Sequence, residues 1–222
     1  MRGGTLFSGI GAPEYAAPEI DWRWCAEIDP FASAVLAQRF PGVPNHGDVT
    51  KLDPGTIEPV DVIVFGSPCQ SFSVAGRRLG LDDPRGNLAL VALRLVGRLR
   101  PRWFVFENVP GLLSSAGGDD IKTFLDAVED LGYIIDIDIL DAQFHGVPQR
   151  RRRVFVCGQD RGDLIAQKTD SSALTIAQCW LEILHGILID RFPASENALG
   201  FSASGQDRPC SDSHFNGLLW WL

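Results

Sequence analysis

A chain of 222 residues with 45% hydrophobic and 22% charged residues has the balance of a folded protein, not of a disordered one. Its formal net charge of −8 speaks against a general nucleic-acid coat protein but leaves room for a local basic face. No apolar run reaches the ~20 residues that span a bilayer, and the N-terminus lacks the basic-then-apolar pattern of a signal peptide, so a cytoplasmic protein without a membrane partner is expected.

In chain order, the stretches Thr5–Phe7, Arg23–Ala26, Val60–Phe65, Trp103–Phe106, Ile134–Leu140 and Val154–Cys157 read as strands, short, apolar and bounded by Gly, Pro or Asp. Between them, Phe31–Arg39, Leu88–Leu99 and Ile121–Leu131 show helical spacing. This alternation predicts an α/β fold with a parallel sheet and helices on both faces. In such sheets ligands bind at the C-terminal ends of the strands. After Gly158 the character changes. Ser172–Arg191 reads as one helix with an apolar stripe at Ala173, Ala177, Trp180, Leu184 and Ile187, followed by a Ser/Gly/Asp-rich stretch and an apolar end at Trp220-Trp221-Leu222. Residues 1–158 are therefore expected to form the main domain and 159–222 an atypical tail.

The five cysteines are odd in number and no pair has CxxC spacing, so neither a metal site nor a disulfide framework is expected. One functional thiol remains open.

Four segments carry polar residues where a sheet presents its site. Phe7-Ser8-Gly9-Ile10-Gly11 follows the first strand, and its glycines permit a tight turn close to a ligand. Glu27 ends the second strand, where an acid can accept from ribose hydroxyls or merely cap a helix. The absence of GxGxxG disfavours a dinucleotide. Gly66-Ser67-Pro68-Cys69-Gln70 follows the third strand. A lone cysteine is usually a small buried apolar residue, but polar, Gly-rich surroundings favour an accessible nucleophile. The Gly/Arg-rich stretch after it resembles a loop able to close over a charged substrate. Glu107-Asn108-Val109 follows the fourth strand, where a carboxylate in a dry site can donate a proton, or act as a surface acid or cap. Gln149-Arg150-Arg151-Arg152-Arg153 leads into the last strand and puts Arg151 and Arg153 on one face. Such a run is usually solvated; beside a nucleophile and an acid it suggests phosphate or base contacts.

Taken in order, these segments resemble the DNA (cytosine-5)-methyltransferase family over about residues 3–158. Each motif alone is of moderate weight; the ordered set is highly specific. The resemblance implies a Rossmann-like methyltransferase sheet and S-adenosylmethionine as cofactor. It implies methyl transfer to carbon 5 of a cytosine flipped out of double-stranded DNA, in a restriction-modification or phage modification system. Cys69 would add to carbon 6, Glu107 would act at ring N3 and the exocyclic amine, Arg153 would contact the base near O2, and Arg151 would support Cys69 or the nucleotide. Phe7, Gly9, Ile10 and Gly11 would surround the cofactor, Glu27 would hold its ribose and Ile28 its adenine. Asp48 and Val49 would bind the adenine edge, with Pro68, Leu88 and Asn108 close by. Gln70, Ser73, Arg77, Arg78 and Gln149 would contact DNA.

The family ordinarily continues into a target-recognition domain and a last motif that returns to the cofactor pocket, and neither is present in Gln159–Leu222. That tail has four basic against eight acidic residues, the wrong sign for phosphate binding. Three readings follow: half of a split enzyme whose second polypeptide supplies recognition, a truncated or frame-shifted product, or a reduced version of the whole. A degenerate module that binds cofactor or a partner without turnover, and an RNA cytosine methyltransferase, are the rival functions.

Overall fold

The computed structural model describes residues 1–68, 88–144 and 148–162. The predicted helix at 172–191 lies outside them, as does the rest of the tail from residue 163. Six strands, β1 (Arg2–Leu6), β2 (Asp21–Ala26), β3 (Val62–Phe65), β4 (Trp103–Asn108), β5 (Tyr133–Asp141) and β6 (Arg152–Asp160), form one sheet in the order β2-β1-β3-β4-β6-β5. Among the described residues four α-helices accompany them: α1 (Ala12–Ala16), α2 (Pro30–Arg39), α3 (Leu88–Leu99) and α4 (Asp119–Asp130).

The sheet is mixed, which corrects the expectation of a parallel one. β1 pairs in parallel with β2 and β3, and β3 with β4, but β6 runs antiparallel to both β4 and β5. The reason is the link from Asp141 to Arg152. It holds only a single short 3-10 turn among its described residues, and a parallel return needs a crossover of a dozen or more residues. β6 also continues to Asp160, past the predicted end of the main domain. Among the described residues β5 forms an edge, and two of its backbone N–H groups are capped by the preceding side chain. Asp136 Oδ1 accepts from Ile137 N at 2.9 Å and Asp138 Oδ1 from Ile139 N at 2.7 Å. Such capping discourages strand addition at the edge.

The apolar residues divide by strand parity into two clusters. Leu6, Ile63, Phe65, Phe104, Phe106, Val154 and Val156 face α3 and α4. Val62, Val64, Trp103, Val105, Phe155 and Cys157 face the other way, where Ala17 and Ile20 join them. α3 is apolar nearly all round because it is buried nearly all round, from Ala89 through Leu93 and again at Leu95 and Val96. α4 buries only Phe124, Ala127 and Val128, one stripe at i, i+3 and i+4, and leaves its charges outward.

Aromatic rings join the layers. Phe106 stacks on Phe124 of α4 with centroids 4.3 Å apart and lies 5.2 Å from Phe65 of the neighbouring strand. Truncating a fully buried ring of this kind leaves a cavity that a close-packed interior does not refill. Phe106→Ala is expected to lower unfolding stability by about 3–5 kcal/mol. A shifted urea midpoint at unchanged slope checks it; a midpoint within error of the parent contradicts it.

Candidate active site

The turn after β1 is built from alternating left-handed residues. Phe7, Gly9 and Gly11 have φ of 56°, 55° and 86°. For Phe7 that conformation is strained, and the surrounding bonds hold it. Gly11 is required for a second reason: a Cβ there would come within 2.5 Å of the Phe40 ring and 2.9 Å of Leu36. Gly11 N–H donates to Ser8 O at 3.0 Å and closes the turn.

Beyond the last paired residues of β1 and β2, Ser8 continues the connection. Ser8 N–H donates to Ala26 O at 3.2 Å, and Ser8 Oγ accepts from Ala26 N at 3.1 Å. One residue further, Glu27 Oε2 accepts from Gly9 N at 2.8 Å, and its Oε1 accepts from Asp29 N at 2.8 Å. Asp29 in turn caps α2 by accepting from Ala32 N at 2.8 Å, with Pro30 at the first helical position.

These turns enclose a cavity of about 230 Å³ at the C-terminal ends of β1, β2 and β3. Eight of the expected cofactor residues line it: Phe7, Gly9, Glu27, Ile28, Asp48, Val49, Pro68 and Leu88. Three do not. Ile10 and Gly11 shape the turn from outside the lining. Asn108 instead bridges two strand ends, donating from Nδ2 to Ser67 O at 3.1 Å and accepting Val109 N–H at 2.9 Å. The lining also includes Ala26, Asp29, Ala32, Gly47, Thr50 and Gly66, which the sequence reading missed. Most are chain neighbours of expected residues, and Ala32 lies one helical turn beyond Asp29. Asp48 is engaged already: its Oδ1 accepts from Thr50 N and Thr50 Oγ1, and those bonds hold its pKa below the usual carboxylate range. Apolar walls with three carboxylates among them, Glu27, Asp29 and Asp48, suit a nucleoside with ribose hydroxyls and a cationic group. Glu27 and Asp48 would hold its polar edges, and Ile28, 71% exposed at the mouth, would cover its base.

The second part of the site lies at the ends of β4 and β6. Glu107 is buried, and Arg153 Nε contacts its Oε1 at 2.8 Å. Burial pushes the Glu107 carboxyl up, while Arg153 and then Arg151 oppose the rise. Arg151 is brought near the same carboxylate, and burial and Arg153 lower its own pKa. Asp141 positions this corner, an unpredicted role: it accepts Arg151 N–H at 3.0 Å and Gln143 Nε2–H at 2.8 Å. Its signal in the sequence is an acid closing a strand. The expected pairing of Arg151 and Arg153 on one face is thus accompanied by an ion pair that spacing alone did not reveal. Gln149 is exposed before β6. Cys69, Gln70, Ser73, Arg77 and Arg78 lie outside the described residues; Pro68 is the last residue before them.

A family model for C-5 cytosine-specific DNA methylase matches residues 1–182. The chain belongs to this family. A protein of Escherichia phage P1 named DNA N-6-adenine-methyltransferase is 41% identical over 216 residues, covering 72% of this chain and 29% of that protein. The type II methyltransferase M1.ScrFI of Lactococcus lactis subsp. cremoris is 38% identical, covering 70% of this chain and 41% of that one. The crystal structure of a DNA modification methyltransferase encoded within an E. coli prophage superposes with a TM-score of 0.62 at 26% identity, covering 95% of this chain and 62% of that chain. This C5-methylase chain spans about a third of the length of the curated relatives it matches. Among the described residues no helix is long and apolar enough to cross a membrane, and no group of three or more His, Cys, Asp or Glu could hold a metal ion.

One buried acid beside the cofactor turn was not foreseen. Glu14, on α1, is 2% exposed and Thr5 Oγ1 donates to its Oε1 at 2.5 Å. Burial raises its pKa from 4.5 to about 7. A carboxyl with a higher pKa folded than unfolded stabilises the fold fully below the unfolded value and loses that contribution as pH rises through the folded one. Relative to Glu14→Gln, the parent is expected to lose about 3 kcal/mol of stability between pH 4.5 and 7 and no more above it. Melting temperatures of the two proteins across that range check the slope; parallel curves contradict it.

Proposed function

We propose that this chain carries the cofactor-binding and catalytic part of an enzyme that methylates carbon 5 of cytosine in DNA through a covalent cysteine adduct. The observation that carries this reading is the buried Glu107–Arg153 pair at a strand end, joined through Asn108 to the carbonyl of Ser67, two residues before Cys69. The acid and the arginine meet beside the strand end that leads through Ser67 and Pro68 towards Cys69, and Pro68 lines the nucleoside-sized cavity.

The chemistry follows from the residues. Carbon 5 of cytosine is a weak nucleophile. The Cys69 thiolate adds to carbon 6, forming a C–S bond and moving electron density to carbon 5. Glu107, whose pKa burial pushes up against the pull of Arg153 and Arg151, hydrogen-bonds or protonates ring N3 and offsets the charge that develops there. Arg153 orients Glu107 and reaches the base near O2, and Arg151 steadies the nucleotide. S-adenosylmethionine, when bound, supplies an electrophilic methyl on a sulfonium, which carbon 5 accepts. A base then removes the carbon 5 proton, and the electron pair left behind restores the ring and expels the thiolate. Glu27 and Asp48 hold the cofactor's hydroxyls and amine, while Phe7, Ile28 and Leu88 exclude water from it.

Double-stranded DNA is the substrate, with Gln149, Arg151, Gln70, Ser73, Arg77 and Arg78 as its contacts. The relatives of this chain are far longer, and target recognition is assigned to a part outside the matched residues, in further chain or in a second polypeptide. Phage and type II relatives favour a place in phage DNA modification or a restriction-modification system. The relative named for adenine chemistry makes the modified base the decisive readout.

Labelled methyl transferred to duplex DNA is expected in 5-methylcytosine after digestion. DNA carrying 5-fluorocytosine is expected to trap a covalent complex that Cys69→Ser abolishes. Glu107→Gln is expected to slow transfer by about 10²–10⁴-fold. Label in N6-methyladenine, or a covalent complex that survives Cys69→Ser, contradicts the reading. Cofactor binding without transfer, with every downstream reading frame added, favours a non-catalytic module instead.

A further inference from the structure

Among the described residues, Glu14 is the most deeply buried acid, and the proposed reaction leaves it unused. It lies beneath the cofactor turn, three residues after Gly11. Its Oε2 has no hydrogen-bond partner among the described residues. Its Oε1 contacts Thr5 Oγ1, Thr5 Oγ1 lies 2.7 Å from Ser8 Oγ, and Ser8 Oγ lies 3.4 Å from Ala26 O while accepting from Ala26 N. Ala26 lines the cofactor cavity and precedes Glu27. A continuous chain of hydroxyls therefore runs from a buried carboxyl to the cavity wall.

That chain has two polarities. With Glu14 protonated, its O–H donates to Thr5, Thr5 donates to Ser8, and the Ser8 hydroxyl faces two carbonyls, Thr5 O at 3.3 Å and Ala26 O at 3.4 Å. With Glu14 ionised, Thr5 donates to the carboxylate and Ser8 donates to Thr5, so each hydroxyl keeps a partner. The hydroxyls reverse direction while the carboxyl goes from neutral to a buried charge shared with Oε2, which has no hydrogen-bond partner among the described residues. Such a charge is costly unless a cation comes near.

We propose that Glu14 is a charge-sensing residue beneath the cofactor turn: it ionises when a sulfonium occupies the cavity and stays protonated when the cavity holds the neutral thioether product. The inference rests on the cofactor reading above. It makes the site discriminate substrate from product by charge rather than by shape, and it assists product release after each transfer. Burial, rather than a neighbouring charge, places the Glu14 titration near pH 7, so the switch operates in a usable range. The groups facing Glu14 are Thr5 on β1 and Cys25 on β2, with the Glu27 carboxylate beyond the strand end. Both Glu14 and Glu27 act on the Cys25 thiol, which burial pushes up to about 12, so Cys25 stays protonated and does not compete as the proton source.

Calorimetric titration with S-adenosylmethionine and with S-adenosylhomocysteine, between pH 6 and pH 8 in buffers of different ionisation enthalpy, tests this. The parent is expected to release a fraction of a proton on binding the sulfonium and to bind it about three- to tenfold more tightly at the higher pH, after subtraction of the same titration of Glu14→Gln. The subtraction removes the titration of the ligand's own amino group. The product is expected to show neither difference between the two proteins. Thr5→Val removes the hydroxyl that lowers the Glu14 pKa, and is expected to move the step to higher pH without abolishing it. Equal proton release and equal pH dependence in parent and Glu14→Gln overturn the charge-sensing role while leaving the cofactor reading intact. Failure of both ligands to bind at any pH overturns the cofactor reading and the inference with it.

Discussion

The C-terminal edge of this sheet depends on how Ser8 grips Ala26. A strand ladder ends where its chains diverge, and β1 and β2 diverge after Leu6 and Ala26. Ser8 uses its backbone N–H and its hydroxyl to satisfy both polar groups of Ala26 past that point. The two chains stay close for one more residue, near enough for Glu27 to accept from Gly9 N. The strained Phe7, the left-handed Gly9 and Gly11, and the short helix α1 all follow from holding the chain there. A cavity opens beside that junction because the backbone turns sharply twice around it, and because Gly11 lets Phe40 of the next layer approach without collision.

The corner at the ends of β4 and β6 is organised by a different compromise. Glu107 and Arg153 are each largely withdrawn from water, so neither could remain charged alone at low cost. Together they share a short ion pair, and Arg151 adds a second positive charge whose pKa burial and Arg153 lower. A carboxyl balanced between desolvation, which favours its neutral form, and two arginines, which favour its charged form, can give up or take a proton with modest rearrangement. Asp141 and Asn108 lock the backbone on either side, so the pair is held by the sheet rather than by a loop.

Much of this was legible in the sequence, and the limits have physical causes. Short apolar runs ending in polar, Gly-containing turns marked every strand, and the acids at strand ends marked the site, because an acid inside an otherwise apolar strand needs a polar or charged partner to offset its burial. Strand direction was less visible: alternation reports which face a residue joins, not which way the chain runs, and only the short link from Asp141 to Arg152 held that information. The Glu107–Arg153 pair was hidden for a similar reason, since it joins residues far apart in sequence through an antiparallel register. Glu14 was missed because one acid within a short apolar helix resembles a solvent-facing residue. Its burial appears only when α1 is laid on the sheet.

The central claim is that the turn after β1 and the end of β2 together form the cofactor cavity. Amide NMR of the chain during titration with S-adenosylhomocysteine tests it most directly. Saturable shifts concentrated at Gly9, Glu27, Ile28 and Asp48, with little change along β5, are the predicted result. Shifts centred elsewhere on the sheet, or none at saturating ligand, would contradict it.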